Sequence, residues 1–533
     1  MTEVLFIDVP AARRMPLAEW SLGYRYLVAA LRKAGFRAEI VQPPFVTDGT
    51  ARNRLLAEVV ARSPRLIGLT TYDVMLPDLL GFVDALRGAG VRAHVTLGGL
   101  SASAAVDWVL QAGSGVDSVV RGEGEATIVA LAQHVIRGVG RLPIAGASVR
   151  GEGGIVEGEP RPFTRDLDGL TAPAWDPSVA VGSGSPVRLR TSDTVPVTGS
   201  RGCYGRCTFC SVERFYRSSP RARPWRPFSA RRIADDIDTA TRATGARKVT
   251  FVDENFVGPG RAGRAHVLDV AEELRRRGRP VEFNLACRAD DVDPATFADL
   301  RDAGLRGVTL GVEAMSQPTL DLFGKNTTPQ TNDVAVEALA ELGLDTEITY
   351  IFFHPLSTLR EVRDSVAFVA KVAQLPAAHF NNGQPYVELV PLAGTALTAE
   401  LQRRGHVRGV VGGYKVAYAD PRVGLLARTT RSVPLDELAL LGAALPSDGG
   451  GQVSQLRERL AAQHRWLAMH RLPELLCDAC DAFGAERGQR VEPVLAAIRA
   501  EARRLRHLLD RSLSLLMVEE VGDGAAVPGH VGL

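Results

Sequence analysis

The sequence predicts an α/β protein with three parts: a doubly wound parallel sheet, a partial (β/α)6 barrel and a helical C-terminal domain. In residues 1–140, short apolar runs alternate with segments of helical period, which is typical of a parallel sheet covered by helices on both faces. A second alternation starts at Thr194 and continues for six units, which predicts an incomplete barrel over residues 191–392. Residues 393–533 lose the strand pattern and keep the helical one.

The apolar runs of the first part have the lengths of strands and surface helices. Strands are predicted at Val4–Val9, Arg37–Val41, Leu66–Thr71, Ala93–Leu97 and Asp117–Val120. Helices are predicted at Leu22–Gly35, Ala51–Ala61, Leu76–Gly88, Ala104–Gly113 and Ala126–Gly138. Ligands of such sheets bind beyond the carboxyl ends of the strands, where glycines allow close approach to the backbone. Two glycine-bearing loops are therefore candidate binding loops: Gly98-Gly99 after the fourth strand and Gly122-Glu123-Gly124-Glu125 after the fifth.

The remaining elements follow from the same patterns. Residues 141–190 contain many glycines, prolines and turn residues, which indicates a linker with a small hairpin. Barrel strands are predicted at 194–199, 248–253, 281–287, 307–313, 345–353 and 386–391, with helices at 229–244, 262–278, 294–303, 330–342 and 359–374. C-terminal helices are predicted near 435–445, 453–470, 474–484 and 491–516.

Composition and charge exclude several classes of protein. Lys and Arg total 63 against 61 Asp and Glu, and a net charge of +2 argues against a strongly basic nucleic-acid binder. No apolar stretch reaches the roughly 18–20 residues of a membrane span. The N-terminus lacks the basic region and apolar core of a signal peptide. We therefore expect a cytoplasmic protein, and its 533 residues indicate several domains at roughly 150 residues each.

Three of the six cysteines lie within eight residues, which indicates metal binding or redox chemistry rather than a disulfide scaffold. Cys203, Cys207 and Cys210 have the spacing CxxxCxxC and directly follow the first barrel strand. Thiolates are the ligands of iron–sulfur clusters, and three of them leave one iron of a four-iron cluster open for another ligand. Three unrelated buried thiols, or a zinc site completed by a histidine, are the alternatives. Neither explains why the triplet follows the strand that opens a barrel.

This triplet resembles that of the radical S-adenosylmethionine (SAM) enzymes. In that family CxxxCxxC holds a 4Fe-4S cluster whose open iron binds SAM, and reductive cleavage of SAM gives a radical that removes hydrogen from a substrate. Further segments resemble the family in the same order: Phe251–Phe256 is similar to FxDxxF, Cys287–Asp290 to the end of the third strand, Leu310–Gln317 with Lys325 to GxEs-x-s, and Pro391–Thr395 to PxxGT. The resemblance implies cofactor-binding roles for Asp253, Glu254, Arg288 and Glu313.

One segment departs from the family pattern. After the fifth strand the family often carries GxPGET, whereas this chain has Phe353 and Leu356 where glycines are usual. His354 lies between them and is a candidate catalytic acid or base facing the substrate. A plain structural residue at the end of the strand is the alternative, because a lone histidine is usually structural.

The first part resembles the cobalamin-binding domain that precedes the barrel in one large subgroup of radical SAM enzymes. The resemblance lies in Leu22-Gly23-Tyr24, in 97–102 and in 117–125. It implies cobalamin-binding roles for Leu22, Gly98, Gly99, Gly122 and Glu123. The chain lacks the DxHxxG motif that supplies a histidine to cobalt in some cobalamin proteins, as do many members of the subgroup. A scaffold domain without the cofactor is the alternative.

Several other residues are candidates for binding or structure. Cys287 is expected to face the helices around the barrel, as a small buried side chain. Cys477 and Cys480 are expected to be helix-face thiols, with a second cluster as the alternative. The Arg-rich run 214–226 is expected to cover the cluster, with an anionic substrate or nucleic acid as the alternative. Polar residues before the sixth strand are expected to bind a polar substrate or to form a solvated turn: Asn381, Asn382, Gln384 and Tyr386.

Together, the resemblances imply an enzyme that uses a 4Fe-4S cluster, SAM and cobalamin. We predict methyl transfer to an unactivated carbon of a secondary-metabolite or peptide-type substrate, with a flavodoxin- or ferredoxin-type reductant. The alternative uses the same radical for dehydration, epimerisation, cyclisation or desaturation. A sensor protein is disfavoured, because it would not need the SAM-type segments at Asp253 and Glu313. We expect no membrane partner, and nucleic acid is disfavoured as a substrate because the net charge is near zero. A tRNA methylthiotransferase is disfavoured because the C-terminal part is predicted to be helical rather than a small β-barrel RNA-binding domain.

Overall fold

Two sheets follow one another along the chain, the first with eight strands and the second with six, and helices succeed them. This computed structural model describes residues 2–7, 9, 22–42, 49–70, 72–111, 115–176, 180–182, 193–219, 223–278, 281–435, 451–484 and 491–522. Most of the helix predicted at 435–445 lies outside the described residues.

The first sheet has the doubly wound arrangement that the sequence predicts. Its strands are β1 (Val4–Ile7), β2 (Ala38–Gln42), β3 (Leu66–Thr70), β4 (His94–Gly98), β5 (Ser118–Val120), β6 (Ala147–Gly151), β7 (Gly154–Glu157) and β8 (Ala180–Gly182). They lie in the order β7-β6-β5-β4-β3-β1-β2-β8, and the pairings of β6 are antiparallel. The helices are α1 (Leu22–Lys33), α2 (Gly49–Arg62), α3 (Leu76–Gly88), α4 (Gly99–Ala104), α5 (Val106–Gln111) and α6 (Glu125–Arg137).

The strands of this sheet are apolar because both faces are buried. One core packs α2, α3 and α5 against the sheet, and a second core packs α1 and α6 against the other face. Two features differ from the sequence prediction. The segment predicted as a linker supplies strands to both edges of the sheet, namely β8 and the hairpin β6–β7. The helix predicted at Ala104–Gly113 is interrupted at Ala105, where α4 ends and α5 follows.

The second sheet is a parallel, partial barrel. The strands of this part are β9 (Thr194–Val197), β10 (Ser200–Gly202), β11 (Trp225–Pro227), β12 (Lys248–Phe251), β13 (Glu282–Arg288), β14 (Leu305–Glu313), β15 (Asp345–Tyr350) and β16 (Ala378–Phe380). β10 and β11 form a separate antiparallel pair, and the other six lie in the order β16-β15-β14-β13-β12-β9. The helices are α7 (Ser211–Arg217), α8 (Ala230–Thr244), α9 (Gly260–Arg277), α10 (Pro294–Asp302), α11 (Gln317–Leu322), α12 (Pro329–Glu341) and α13 (Leu359–Val372).

The sixth barrel strand is not where the sequence predicted it. β16 lies at Ala378–Phe380, whereas the predicted run 386–391 forms only an isolated bridge between Phe353 and Glu388. Pro385 directly precedes that run, and Pro391 is its last residue. Because proline has no N–H to donate to a ladder, the apolar alternation there does not extend into a paired strand.

The C-terminal part is mainly helical, as predicted. It contains α14 (Ala396–Arg403), β17 (Val407–Arg408), β18 (Lys415–Val416), α15 (Pro421–Arg431), α16 (Gly451–Trp466), a π-helical turn (Leu467–Arg471), α17 (Leu472–Gly484) and α18 (Val491–Gly522). Buried residues of α15, α17 and α18 belong to the same apolar core as the barrel. Among the described residues, no helix combines the length and the apolar character that crossing a membrane requires.

Candidate active site

The three clustered cysteines lie on the loop between β10 and α7, which we call the cluster loop (residues 203–210). Cys203 directly follows β10, and Cys210 is the N-cap residue of α7. Gly202 has a φ of +87°, a left-handed conformation that suits glycine and lets the chain turn from β10 into the loop. The loop is fixed to the barrel where the backbone N–H of Thr208 donates to Phe323 O at 2.8 Å.

The donor set of the cluster loop fits an iron–sulfur cluster. All three cysteines are free, and the Gly205 N–H donates to Cys203 Sγ at 3.3 Å. Burial, together with the neighbouring Cys207, raises the pKa of Cys210 to about 12, so iron has to displace the thiol protons on binding. In a cubane each thiolate binds a different iron. Among the described residues, no group of three or more His, Cys, Asp or Glu side chains is arranged so that it could hold a single metal ion.

Asp253 and Glu254, predicted to bind the cofactor, both contact the strand that leads into the cluster loop. The Asp253 carboxylate accepts hydrogen bonds from the Gly199 N–H at 2.9 Å and from the Ser200 hydroxyl at 2.6 Å. Glu254 accepts one from the Gly202 N–H at 3.0 Å. Burial raises the pKa of Asp253 to about 7 and also raises that of Glu254. Their contacts support a role in holding β10, and direct contact of either with SAM stays a prediction.

Arg288, at the end of β13, lies beside the cluster loop, and its predicted contact with a cofactor stays a prediction. Its Nη1 is 3.6 Å from Cys207 Sγ, and its guanidinium lies 5.4 Å from the centre of the Tyr204 ring. Asp290 accepts two hydrogen bonds from the guanidinium, at 2.8 and 3.0 Å. A cation at this place offsets part of the negative charge that thiolates bring. The Tyr204 hydroxyl donates to Asp291 at 2.6 Å, which fixes this side of the loop.

Glu313 lies at the end of β14 in an unusual backbone conformation. Its φ is +67°, in the left-handed region that side chains other than glycine rarely adopt. Glu313 Oε1 lies 3.2 Å from Lys325 Nζ and accepts a hydrogen bond from the Thr349 hydroxyl at 3.1 Å. Glu313 and Lys325, which belong to the same family-like segment, are therefore in contact at the carboxyl end of the sheet, where parallel barrels bind their ligands.

His354, the predicted catalytic residue, is buried inside the protein with an exposed fraction of 3%. Its Nδ1 accepts a hydrogen bond from the Leu356 N–H at 3.3 Å, and its Nε2 lies 3.2 Å from the Thr319 hydroxyl. Burial lowers the pKa of the ring, so the imidazole is neutral near pH 7. Both nitrogens are occupied by protein groups, and these contacts favour the structural alternative over catalysis.

The carboxyl edge of the first sheet has features that fit a large flat cofactor. Gly98 ends β4, and Gly99 follows it with a φ of +89° at the start of α4. A Cβ at Gly99 would come within 2.5 Å of the Thr70 hydroxyl, so the backbone there packs closely on the end of β3. Beyond β3, Tyr72 and Val74 are 56% and 51% exposed. Exposed apolar side chains beside a glycine loop are typical of a surface that a ligand covers.

Leu22 packs against the barrel. It is buried at the start of α1, and a small hollow between it and the barrel is lined by Pro173, Trp175 and Val197. Leu22 also belongs to the apolar core of the barrel. The structure therefore gives Leu22 a packing role between the two sheets, in contrast to the predicted role in binding cobalamin.

Gly122 and Glu123 bring the loop after β5 into contact with Phe163 and with the hairpin β10–β11. Gly122 has a φ of +73°, and a Cβ there would lie 2.9 Å from the Phe163 ring. The Glu123 carboxylate accepts two hydrogen bonds from Arg226, at 2.6 and 3.3 Å, and lies 3.4 Å from Arg201. Burial would raise the pKa of Glu123, but these two arginines outweigh it and the pKa is lowered. Glu123 therefore binds the barrel, which the sequence analysis did not predict.

Sequence reasoning missed Arg201 and Asp73 at this boundary, and it included Arg226 only in the run 214–226 that was expected to cover the cluster. Arg201 also pairs with Glu125 at 2.5 Å, and the two arginines face each other across the hairpin β10–β11. The Asp73 carboxylate, just beyond β3, accepts a hydrogen bond from the Ala393 N–H in the PxxGT-like segment. No local pattern identifies these contacts, because Arg201 is 76 residues from Glu125 and Asp73 is 320 residues from Ala393.

The other candidates mainly have structural contacts. Cys287 and Cys480 are buried in the apolar core, and Cys477 is half-buried on the same helix as Cys480. The Tyr386 hydroxyl donates to Ala468 O at 2.7 Å and so joins the barrel to the π-helical turn. The side chain of Asn382 lies outside the described residues.

Comparisons with known proteins agree with this architecture. A family model for the B12 binding domain matches residues 16–132, and one for the radical SAM superfamily matches residues 197–369. An uncharacterised methyltransferase of Pyrococcus horikoshii is 24% identical over 68% of this chain and 76% of its own length. An anaerobic magnesium-protoporphyrin IX monomethyl ester cyclase of Rubrivivax gelatinosus is 24% identical over 62% of this chain and 59% of its own length.

A solved structure shares nearly the whole fold. OxsB, a cobalamin-dependent S-adenosylmethionine radical enzyme with aqua-cobalamin and S-adenosylmethionine bound, superposes with a TM-score of 0.71 at 18% identity. The match covers 99% of this chain and 82% of OxsB. The two matched domains confirm the predicted cofactors, namely a 4Fe-4S cluster with SAM and cobalamin, while the individual residues that bind them stay predictions. The chain is a radical SAM enzyme of the subgroup that carries a cobalamin-binding domain before the barrel.

Proposed function

We propose that the protein transfers a methyl group from SAM, by way of cobalamin, to an unactivated carbon of a secondary-metabolite or peptide-type substrate. The observation that carries this proposal is the contact between the loop after β5 and the hairpin β10–β11. The first element lies at the binding edge of the cobalamin-binding domain, and the second leads into the cluster loop. Contact between the two cofactor-binding elements suits a reaction in which cobalamin and the cluster with SAM act on one bound substrate.

The protein's own residues bind and orient the reacting groups. Cys203, Cys207 and Cys210 would each hold one iron of the cluster. When bound, the cluster and SAM supply a radical that takes hydrogen from the substrate, and cobalamin supplies the methyl carrier. Glu313 and Lys325 offer both charges to SAM, whose amino and carboxylate groups require them. Aromatic side chains near the cluster loop, such as Phe209 against Phe323 at 5.1 Å, exclude water from the reaction.

A reducing partner and a cellular location belong to the same proposal. The cluster needs an electron before SAM is cleaved, which a flavodoxin- or ferredoxin-type protein would supply. Free cysteine thiols persist in a reducing compartment, which supports a cytoplasmic location. The near-neutral net charge of +2 does not favour nucleic acid as the substrate.

The second candidate function uses the same radical without methyl transfer, as in a dehydration, epimerisation, cyclisation or desaturation. The Rubrivivax gelatinosus relative, which is named as a cyclase, favours keeping it. Both candidates require the cluster and SAM. They differ in whether the methyl group of SAM reaches cobalamin.

The proposal is tested without knowing the substrate. The protein is produced anaerobically with cobalamin, the cluster is reconstituted, and iron, sulfide and cobalamin are quantified. Reduced protein is then incubated with SAM carrying a trideuterated methyl group. We expect about one cobalamin per cluster and a labelled methylcobalamin in mass spectra. Formation of 5′-deoxyadenosine with no labelled methylcobalamin would overturn methyl transfer and favour the second candidate.

A further inference from the structure

Four buried charged side chains join the cobalamin-binding domain to the barrel, and we call them the charge cluster: Glu123, Glu125, Arg201 and Arg226. Their side chains are 9%, 14%, 12% and 3% exposed, respectively. Two negative and two positive charges balance. A buried group of this kind is stable only while all its members stay paired, because separating one partner leaves an uncompensated charge away from water.

The two arginines depend on Glu123 because of the strand pairing. Arg201 and Arg226 are directly opposite each other in the antiparallel pair β10–β11. Like charges in that position repel. Glu123 binds Arg226 through a two-pronged contact at 2.6 and 3.3 Å and lies 3.4 Å from Arg201, so one carboxylate neutralises the repulsion.

The charge cluster connects two elements with predicted cofactor roles, the loop after β5 in the first domain and the strand β10 that leads into the cluster loop. Glu123 lies between Gly122 and Gly124 in the loop after β5, whose Cβ positions would meet the Phe163 ring at 2.9 Å and Leu27 at 3.1 Å. The loop is therefore packed tightly and cannot shift alone. On the other side, Arg201 precedes Cys203 by two residues in the chain. A movement of the loop after β5 has to move β10 with it.

We propose that Glu123 is a positioning residue that couples the cobalamin site to the cluster site through Arg226 and Arg201. The inference rests on the proposed function, since it assigns a role to the contact between its two cofactor sites. Occupation of one site then changes the affinity of the other, and this effect is reciprocal.

The test measures the dissociation constant of hydroxocobalamin by absorbance titration in full-length protein, with and without the reconstituted cluster. The ratio of the two constants is the coupling. In the wild type we expect the dissociation constants with and without the cluster to differ by roughly fivefold or more. In Glu123→Gln we expect a ratio near one, with both cofactors still bound. A wild-type ratio of one, or an unchanged ratio in Glu123→Gln, would overturn the inference.

A matched control is available inside the first domain. Glu58 pairs with Arg62 at 3.0 Å and is 14% exposed, but both lie on α2 and touch no cofactor loop. Glu58→Gln should keep the wild-type ratio. The double variant Glu123→Gln with Arg226→Met removes the unpaired charge and should recover stability without recovering the coupling. Recovery of both would mean that Glu123 only neutralises charge, which contradicts a positioning role.

The proposed function and this inference fail in different ways. If the wild type binds no cobalamin, methyl transfer by way of cobalamin fails, and the electron paramagnetic resonance spectrum of the reduced cluster then decides the inference. A spectrum changed in Glu123→Gln and unchanged in Glu58→Gln supports positioning of the cluster loop. Identical spectra in all three proteins overturn it.

Discussion

The buried carboxylates around the cluster loop bind the backbone of one short strand. Asp253 holds its start through Gly199 and Ser200, and Glu254 holds its end through Gly202. On the side facing the first domain, the same strand is held by the charge cluster. β10 has only three residues, so its backbone hydrogen bonds to β11 are few. The side-chain contacts therefore add to the hydrogen bonding that holds this strand in place. The position of Cys203 is therefore set by charged residues from two domains.

Replacing Cys207 with alanine should remove one of the three thiolates of the cluster. With one iron left without its protein ligand, we expect loss of the cluster and of SAM cleavage. Iron content after reconstitution and 5′-deoxyadenosine formation measure the two effects. Cys480→Ala, a change in the apolar core on α17, is the control and should keep the iron. Retained 5′-deoxyadenosine formation in Cys207→Ala would contradict the site.

His354→Gln separates the structural role of this residue from a catalytic one. Replacing the buried ring removes hydrogen bonds to Leu356 and Thr319, so we expect a loss of stability of about 1–3 kcal/mol with 5′-deoxyadenosine formation retained. Loss of SAM cleavage in a variant with a full cluster would instead support catalysis.

The same residue predicts a pH dependence. Burial lowers the pKa of His354 below its usual value near 6.5, so the unfolded chain takes up a proton that the folded one does not. Stability is therefore fully present above pH 6.5 and falls as the pH drops below it. His266, whose pKa burial lowers to about 4, acts in the same direction. Urea unfolding at pH 5.5 and 7.5 should show a smaller acid loss in His354→Gln than in the wild type.

At the scale of elements, the hairpin β10–β11 is the support of the cluster loop. Gly202 closes it, and a Cβ there would collide with the backbone oxygen of Pro224 and lie 3.2 Å from Tyr216. Gly202→Ala should separate the two strands and abolish most cluster incorporation. Gly245→Ala is the matched control, since Gly245 has a φ of +75° with open space around it and should lose only about 1–2 kcal/mol. Iron per chain and thermal unfolding distinguish the two variants, and full iron in Gly202→Ala would contradict this role of the hairpin.

The sequence predicts the bounds of an element well where a long periodic run packs one face on a single core. It predicts them less well where contacts with distant residues determine whether a segment forms a strand. The helix Leu76–Gly88 has the predicted bounds because its apolar face packs on one core throughout. The three residues of β16 are too few for a periodic signal, and Pro385 and Pro391 prevented the predicted run from pairing. The cysteine spacing identified the cluster loop. The partners of Glu123 were not predictable, since Arg226 is 103 residues away and no local pattern links them.

At the scale of the whole molecule, the segment after the barrel also packs on the first domain. Ala393 and Val411 are buried in the core that covers one face of the first sheet. The PxxGT-like segment continues from there to the cluster loop, where the Leu397 N–H donates to Thr208 O at 2.9 Å. This segment thus joins the two domains in addition to the charge cluster and the packing of Leu22 on the barrel core.

Asp73→Ala tests the contact between the first domain and the segment that follows the barrel. The buried Asp73 carboxylate accepts the Ala393 N–H, and removing it leaves a backbone donor unpaired at a cost of about 1–3 kcal/mol. We expect faster hydrogen exchange in 393–412 while α3 keeps its protection, because the helix retains its own core. Asp78→Ala changes an exposed carboxylate on the same helix and should leave both segments unchanged. If exchange in 393–412 is the same in Asp73→Ala as in the wild type, apolar packing of Ala393 and Val411 holds this joint by itself, and the charge cluster is then the polar contact that fixes the domains to each other.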